Sequence, residues 1–324
     1  MGFANRSKTE GRTVVGVGDR RLQGGWRLGA ALALAGATVS PAHALQPGQG
    51  KLLLTGGVSS IDGAAGGGLT PWALTGTQAT AGQMGATAYV TGVRTQDYTL
   101  GIYGFAVAAD DRLELSLAHQ DLDTHNNLAP LGLPGLHLKQ DIVGLKLRLF
   151  GDAVLDSDSW LPQVALGLLH KRAEPGALGP TLTGALGARL SGTEVYLSVT
   201  KLLLAPAVLI NGTLRWTSAN QNGLLGFDGA QGRRRRVYPE ISVAWLPQRQ
   251  WALGLEWRGK PDNLDKSALG SGALKEDAWA DVFVAWAPSK HLSLTLAWVD
   301  LGHIAPAVQP RRQTGGYLSA QIGF

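Results

Sequence analysis

Arg112-Leu113-Glu114-Leu115-Ser116-Leu117-Ala118-His119-Gln120 changes character at every step, with Leu113, Leu115 and Leu117 on one side and Arg112, Glu114, Ser116 and Gln120 on the other. Period-two alternation marks a strand whose two faces meet different surroundings. The device recurs along the chain. Val143, Leu145, Leu147 and Leu149 oppose Gly144, Lys146 and Arg148, and Val195, Leu197 and Val199 oppose Glu194, Tyr196, Ser198 and Thr200. Leu292, Leu294, Leu296 and Trp298 alternate with His291, Ser293, Thr295 and Ala297, and the same pattern fits 207–217, 240–246, 251–258 and 278–286.

A soluble β-sandwich would also alternate. Three features favour a membrane barrel instead. Trp216, Trp245, Trp257, Trp286 and Trp298 lie near strand ends in phase with the apolar face, as aromatic girdles do. The polar faces carry Gly, Ser, Thr and Ala with isolated charges, which suits a crowded lumen. The chain ends on a strand with Leu318, Ala320, Ile322 and the terminal Phe324 on one face, resembling the signal that bacterial barrels present to the barrel-assembly machinery. In hydrocarbon every backbone N–H and C=O needs an internal partner, so the sheet must close. Pro162, Pro206, Pro239, Pro247, Pro261 and Pro288 fall at strand ends or connections, where a missing N–H breaks no ladder.

Short connections at Asp110-Asp111, Ala205-Pro206, Pro247-Gln248 and Pro288-Ser289-Lys290 alternate with long polar segments at 121–137, 173–190, 218–236, 260–276 and 302–315. That asymmetry predicts an all-β, antiparallel up-and-down transmembrane barrel with short periplasmic turns and long outer loops. The count is about fourteen strands, or twelve if 52–74 adds none to the wall.

Residues 1–44 read as a cleaved signal peptide: Arg20, Arg21 and Arg27 precede an apolar stretch at 28–39, then Pro41 and the small-x-small site Ala42-His43-Ala44. The barrel domain is then 45–324, exported to a bacterial outer membrane. Six of the 29 Lys/Arg and two of the 24 Asp/Glu lie in 1–44, leaving 23 basic and 22 acidic residues. Without a basic footprint on the folded part, nucleic acid is not an expected partner. The absence of Cys excludes disulfides and thiolate metal sites.

The chain resembles a proteobacterial family known as the domain of unknown function DUF3034. The resemblance rests on Lys51-Leu52-Leu53-Leu54-Thr55-Gly56-Gly57, Gly66-Gly67-Gly68-Leu69, Leu133-Pro134-Gly135-Leu136 with Lys139-Gln140-Asp141, Lys260-Pro261-Asp262-Asn263-Leu264, and the segment from Leu294 to Gly302. It spans roughly 48–324 and implies a predicted outer-membrane barrel. It brings no catalytic, cofactor or metal residues.

The residues themselves carry no enzyme signature: there is no metal helix, nucleophile elbow or P-loop, and Gly66 to Gly68 reads as a turn or a close backbone approach. No cofactor is expected. His119 with Asp121 and Asp123 is the best of the weak catalytic candidates. The run Arg233, Arg234, Arg235 and Arg236 lies in an outer loop and suits lipopolysaccharide phosphates, which Arg binds bidentately. Alternation places Arg112, Lys146, Arg148, Arg215 and Arg258 in the lumen with Glu114, Glu194, Glu240, Glu256 and Asp281. The hairpins bring Glu194 near Arg215 and Glu240 near Arg258. A porin-like passive channel for small solutes, weakly ion-selective, is the leading expectation. A closed barrel acting on lipids, carrying hydrophobic solutes, or serving as structure is the alternative.

Overall fold

A computed structural model describes residues 51–154, 160–230, 232, 235–265 and 267–324. The export segment lies outside the described residues, as do Arg233 and Arg234. A short hairpin, β1 (Val58–Ser59) and β2 (Ala65–Gly66), precedes twelve long strands. These are β3 (Met84–Thr95), β4 (Thr99–Ala109), β5 (Leu113–Asp123), β6 (His137–Phe150), β7 (Gln163–Glu174), β8 (Ser191–Leu203), β9 (Val208–Thr217), β10 (Arg236–Gln248), β11 (Trp251–Arg258), β12 (Trp279–Ser289), β13 (Leu292–Gly302) and β14 (Gln313–Gly323). Each pairs antiparallel with its neighbour, and β14 pairs with β3 to close a barrel of twelve strands.

The wall therefore has twelve strands rather than fourteen, because residues 52–74 lie inside the barrel. Their sequence already differed from the wall's. A segment enclosed on every side has no reason to alternate, and almost every residue from 54 to 77 is buried. The hairpin turns after β10 and β12 fall at 249–250 and 290–291, slightly beyond the predicted positions. Register shifts between Trp245 and Gln248 and between Trp286 and Ser289 accommodate Pro247 and Pro288 within the strand ends.

The outward face is an apolar belt in which Leu113, Leu115, Leu117, Val143, Leu145, Leu147, Leu197 and Val199 are exposed. Tryptophans border it at both rims. Trp216, Trp257 and Trp298 sit toward the long-loop end; Trp245, Trp251 and Trp286 sit toward the short-turn end, the last two stacked with centroids 5.8 Å apart. On the inside, Tyr89, Ile102, Ile142, Leu169, Tyr196, Phe283 and Tyr317 pack with Ile61, Leu69, Trp72 and Leu74 of the internal segment. Gly167 makes room for one of these rings, since a Cβ there would run into Tyr196. At the other end the long loops form their own apolar cluster, including Leu182, Leu186, Leu224, Leu264 and Leu274.

Candidate functional site

The lumen is filled from both ends. From the short-turn end the segment before β3 threads inward as a plug, and from the long-loop end residues 218–228, between β9 and β10, fold down toward it. Wall side chains grip the plug backbone. Glu114 on β5 and Lys146 on β6 face each other in register, 3.3 Å apart. Glu114 accepts from the N–H of Ala65 at 3.0 Å and of Gly76 at 2.7 Å, while Lys146 donates to the carbonyls of Ala65 and Leu74 at 2.9 and 2.8 Å. Ser198, Asn211 and Thr213 converge on the Pro71 carbonyl, and Gln120 donates to Ile61 O at 2.6 Å. Glu256 accepts from the Leu69 N–H at 2.7 Å and from the Thr70 hydroxyl. A Cβ on Gly67 would collide with Glu256, so the glycine triplet permits this close approach.

Asp62, at the turn of the plug hairpin, is the inner end of this grip. Its carboxylate meets Lys171 Nζ at 2.8 Å, Arg258 Nη1 at 2.9 Å and Arg215 Nη2 at 3.4 Å. Those cations stand on β7, β11 and β9. Glu194 pairs with Lys171 at 2.8 Å and Arg215 at 3.2 Å, and Glu240 pairs with Arg215 and, at 3.3 Å, with Arg258. Asn222 from the inward loop donates to Asp62 at 3.0 Å and accepts from Arg258 at 2.8 Å. Three cations thus balance three carboxylates in one buried network, and the balance is complete only with Asp62 in place.

Of the ten charges expected in the lumen, Lys146, Arg215, Arg258, Glu114, Glu194, Glu240, Glu256 and Asp281 are buried there. Arg112 is a correction: it lies in the exposed turn before β5, where the chain leaves the strand and its alternation no longer sets direction. Arg148 is only half inside, at the mouth, where it pairs with Asp111, which also holds Lys51 at 2.6 Å. Glu256 and Asp281 stand directly opposite each other. Sequence reading missed Lys171, because consecutive Leu168 and Leu169 on β7 hide which face is polar. It also missed Asp62, whose partners are more than a hundred residues away.

His119, on the outer face near the long-loop rim, pairs with Asp141 at 2.7 Å and packs on Tyr103. Asp121 pairs instead with His137 and Lys139, and Asp123 with His125, so these groups form a rim network rather than one triad. Arg235 stacks on Trp216 with its guanidinium 4.8 Å from the ring centroid, and Arg236 is exposed. Beneath the loops, Lys260 lies 3.4 Å from Glu276 and 3.1 Å from the Trp279 ring centroid. Burial pushes the Lys260 ammonium down to about 7 and the Glu276 carboxyl up.

A closed antiparallel barrel with an apolar belt, two tryptophan girdles and a filled polar interior has the architecture of the bacterial outer-membrane barrels. The chain belongs to the DUF3034 family, described as a protein of unknown function, which matches residues 55–321. No curated protein matches it. Among solved structures it is similar to the KdgM porin, at 8% identity over 74% of this chain and 99% of that one, with a TM-score of 0.46. An outer-membrane channel from Pseudomonas putida F1 gives 12% identity, 76% and 97% coverage and 0.47. Outer-membrane phospholipase A from Escherichia coli gives 10%, 73% and 92%, and 0.40.

Proposed function

We propose that this protein is an outer-membrane channel for small polar solutes, held shut by its own N-terminal plug. The observation that carries the reading is the chemistry of the contact between plug and wall. Buried ion pairs give no advantage over apolar packing in an interior that is always dry, and replacing them is often stabilising by about 1–4 kcal/mol. A wall carrying Lys146, Lys171, Arg215, Arg258 and five carboxylates suits a lumen that fills with water in another state. Twelve strands are also more than a side-chain core needs, since about eight already enclose a filled interior. The apolar belt and the two girdles support the membrane setting.

In this reading the chain is not an enzyme. Arg235 and Arg236, beside the exposed Trp216, offer phosphate contacts to lipopolysaccharide, and the strand ending at Phe324 engages the assembly machinery. The test is solute uptake by liposomes carrying the full chain or a variant lacking 52–79. The variant should admit small sugars and amino acids that the full chain admits slowly. A deletion variant that inserts as a heat-modifiable barrel yet stays impermeable would overturn the channel.

A further inference from the structure

We propose that Lys171, Arg215 and Arg258 form a carboxylate-binding subsite in the lumen, and that Asp62 of the plug occupies it as an internal stand-in for a carboxylate-bearing solute. The inference rests on the channel reading and deepens it by naming a solute class. The wall alone contributes three cations to this cluster and two carboxylates, Glu194 and Glu240, leaving one positive charge without a wall counterion. Asp62 supplies the missing negative charge and is bound as a ligand would be. Three cations from three strands converge on one carboxylate, two of them at 2.8–2.9 Å: Lys171 donates to Oδ1, Arg258 and Arg215 face Oδ2 as ion pairs, and Asn222 adds a second donor to Oδ1 from the loop side. The Lys171 bond is charge-assisted, the strong class, and the two guanidinium groups set opposite charge beside the second oxygen. When the plug withdraws, those donors stay on the wall with one uncompensated charge, and a small carboxylate satisfies both. A solute carrying that group competes with Asp62 for the same donors, so it favours the withdrawn state by mass action.

Formate serves as the probe and formamide as its neutral control. In Asp62→Ala the carboxylate is gone and the donors remain. Thermal unfolding of the heat-modifiable barrel should shift upward with formate, growing with the logarithm of its concentration above Kd, with a folding constant about 100-fold larger at a formate concentration 100 times its Kd. Formamide should do nothing, and the wild type, already occupied, should not respond. Asp62→Ser, read by refolding yield in formate against formamide, replaces the alanine variant if that one fails to insert. Equal effects of formate and formamide, or equal formate shifts in variant and wild type, would overturn the subsite. Because the readout is stability, that outcome leaves the conductance test standing. An impermeable plug-less barrel with an intact formate response would instead remove the channel and keep the site.

Discussion

Asn222 donates to Asp62 across 3.0 Å, so a loop entering from one end of the barrel meets a plug entering from the other. The contact joins residues 160 positions apart inside the lumen. Asn222→Asp would set a second carboxylate against the first and should lower stability by about 1–3 kcal/mol. Combining it with Asp62→Asn keeps the charge count and should recover most of the loss. A double-mutant cycle by thermal unfolding measures the coupling, and strictly additive losses would mean that the two residues do not touch.

The two faces of the wall should respond differently to substitution. Leu145→Arg or Leu197→Arg puts a cation into the apolar belt and should cost about 2–4 kcal/mol near the bilayer midplane. Ser198→Ala faces inward and removes a hydroxyl that donates to the Pro71 carbonyl, so its cost should fall on plug retention more than on the wall. Protease resistance of the plug, followed beside barrel unfolding, separates the two effects.

Lys260 makes stability depend on pH. Its folded value is depressed to about 7 from an ordinary 10.5, so between those values the unfolded chain binds more protons than the folded one. Stability should therefore rise as pH climbs from about 7 to about 10, where the folded amine is already neutral and the unfolded chain still holds its proton. Lys260→Met should remove this rise. Melting temperatures of both proteins across that window check it, and parallel profiles would reject it.

Phe324 ends the outward row that includes Leu318 and Ile322, and its backbone exchanges hydrogen bonds with Ala86 at 2.8 and 3.1 Å, at the seam where β14 meets β3. Deleting it or replacing it with Asp should leave export intact and reduce insertion. Heat-modifiability of the membrane fraction is the readout, and a normal yield of inserted barrel would contradict the role.

Strand phase, turn asymmetry and the Glu194–Arg215 and Glu240–Arg258 pairings were all legible in the sequence, because a wall between lipid and a polar lumen imposes alternation on each strand separately. The plug was not legible as a plug. Ser59 bonds Gln321 across 262 positions, and no pattern within 52–74 names such distant partners. Its Gly-rich, almost uncharged and non-alternating sequence was the available signal, and it fitted the twelve-strand alternative.

The central claim, a lumen closed by a plug latched through Asp62, is tested most directly by single-channel recording of the wild type and Asp62→Asn in a planar bilayer. Losing charge-assisted bonds worth about 1.5–3 kcal/mol should raise the open fraction at least about tenfold over a mostly silent wild type. Equal silence of both proteins, each shown to be inserted, or a wild type that conducts steadily without the substitution, would contradict it.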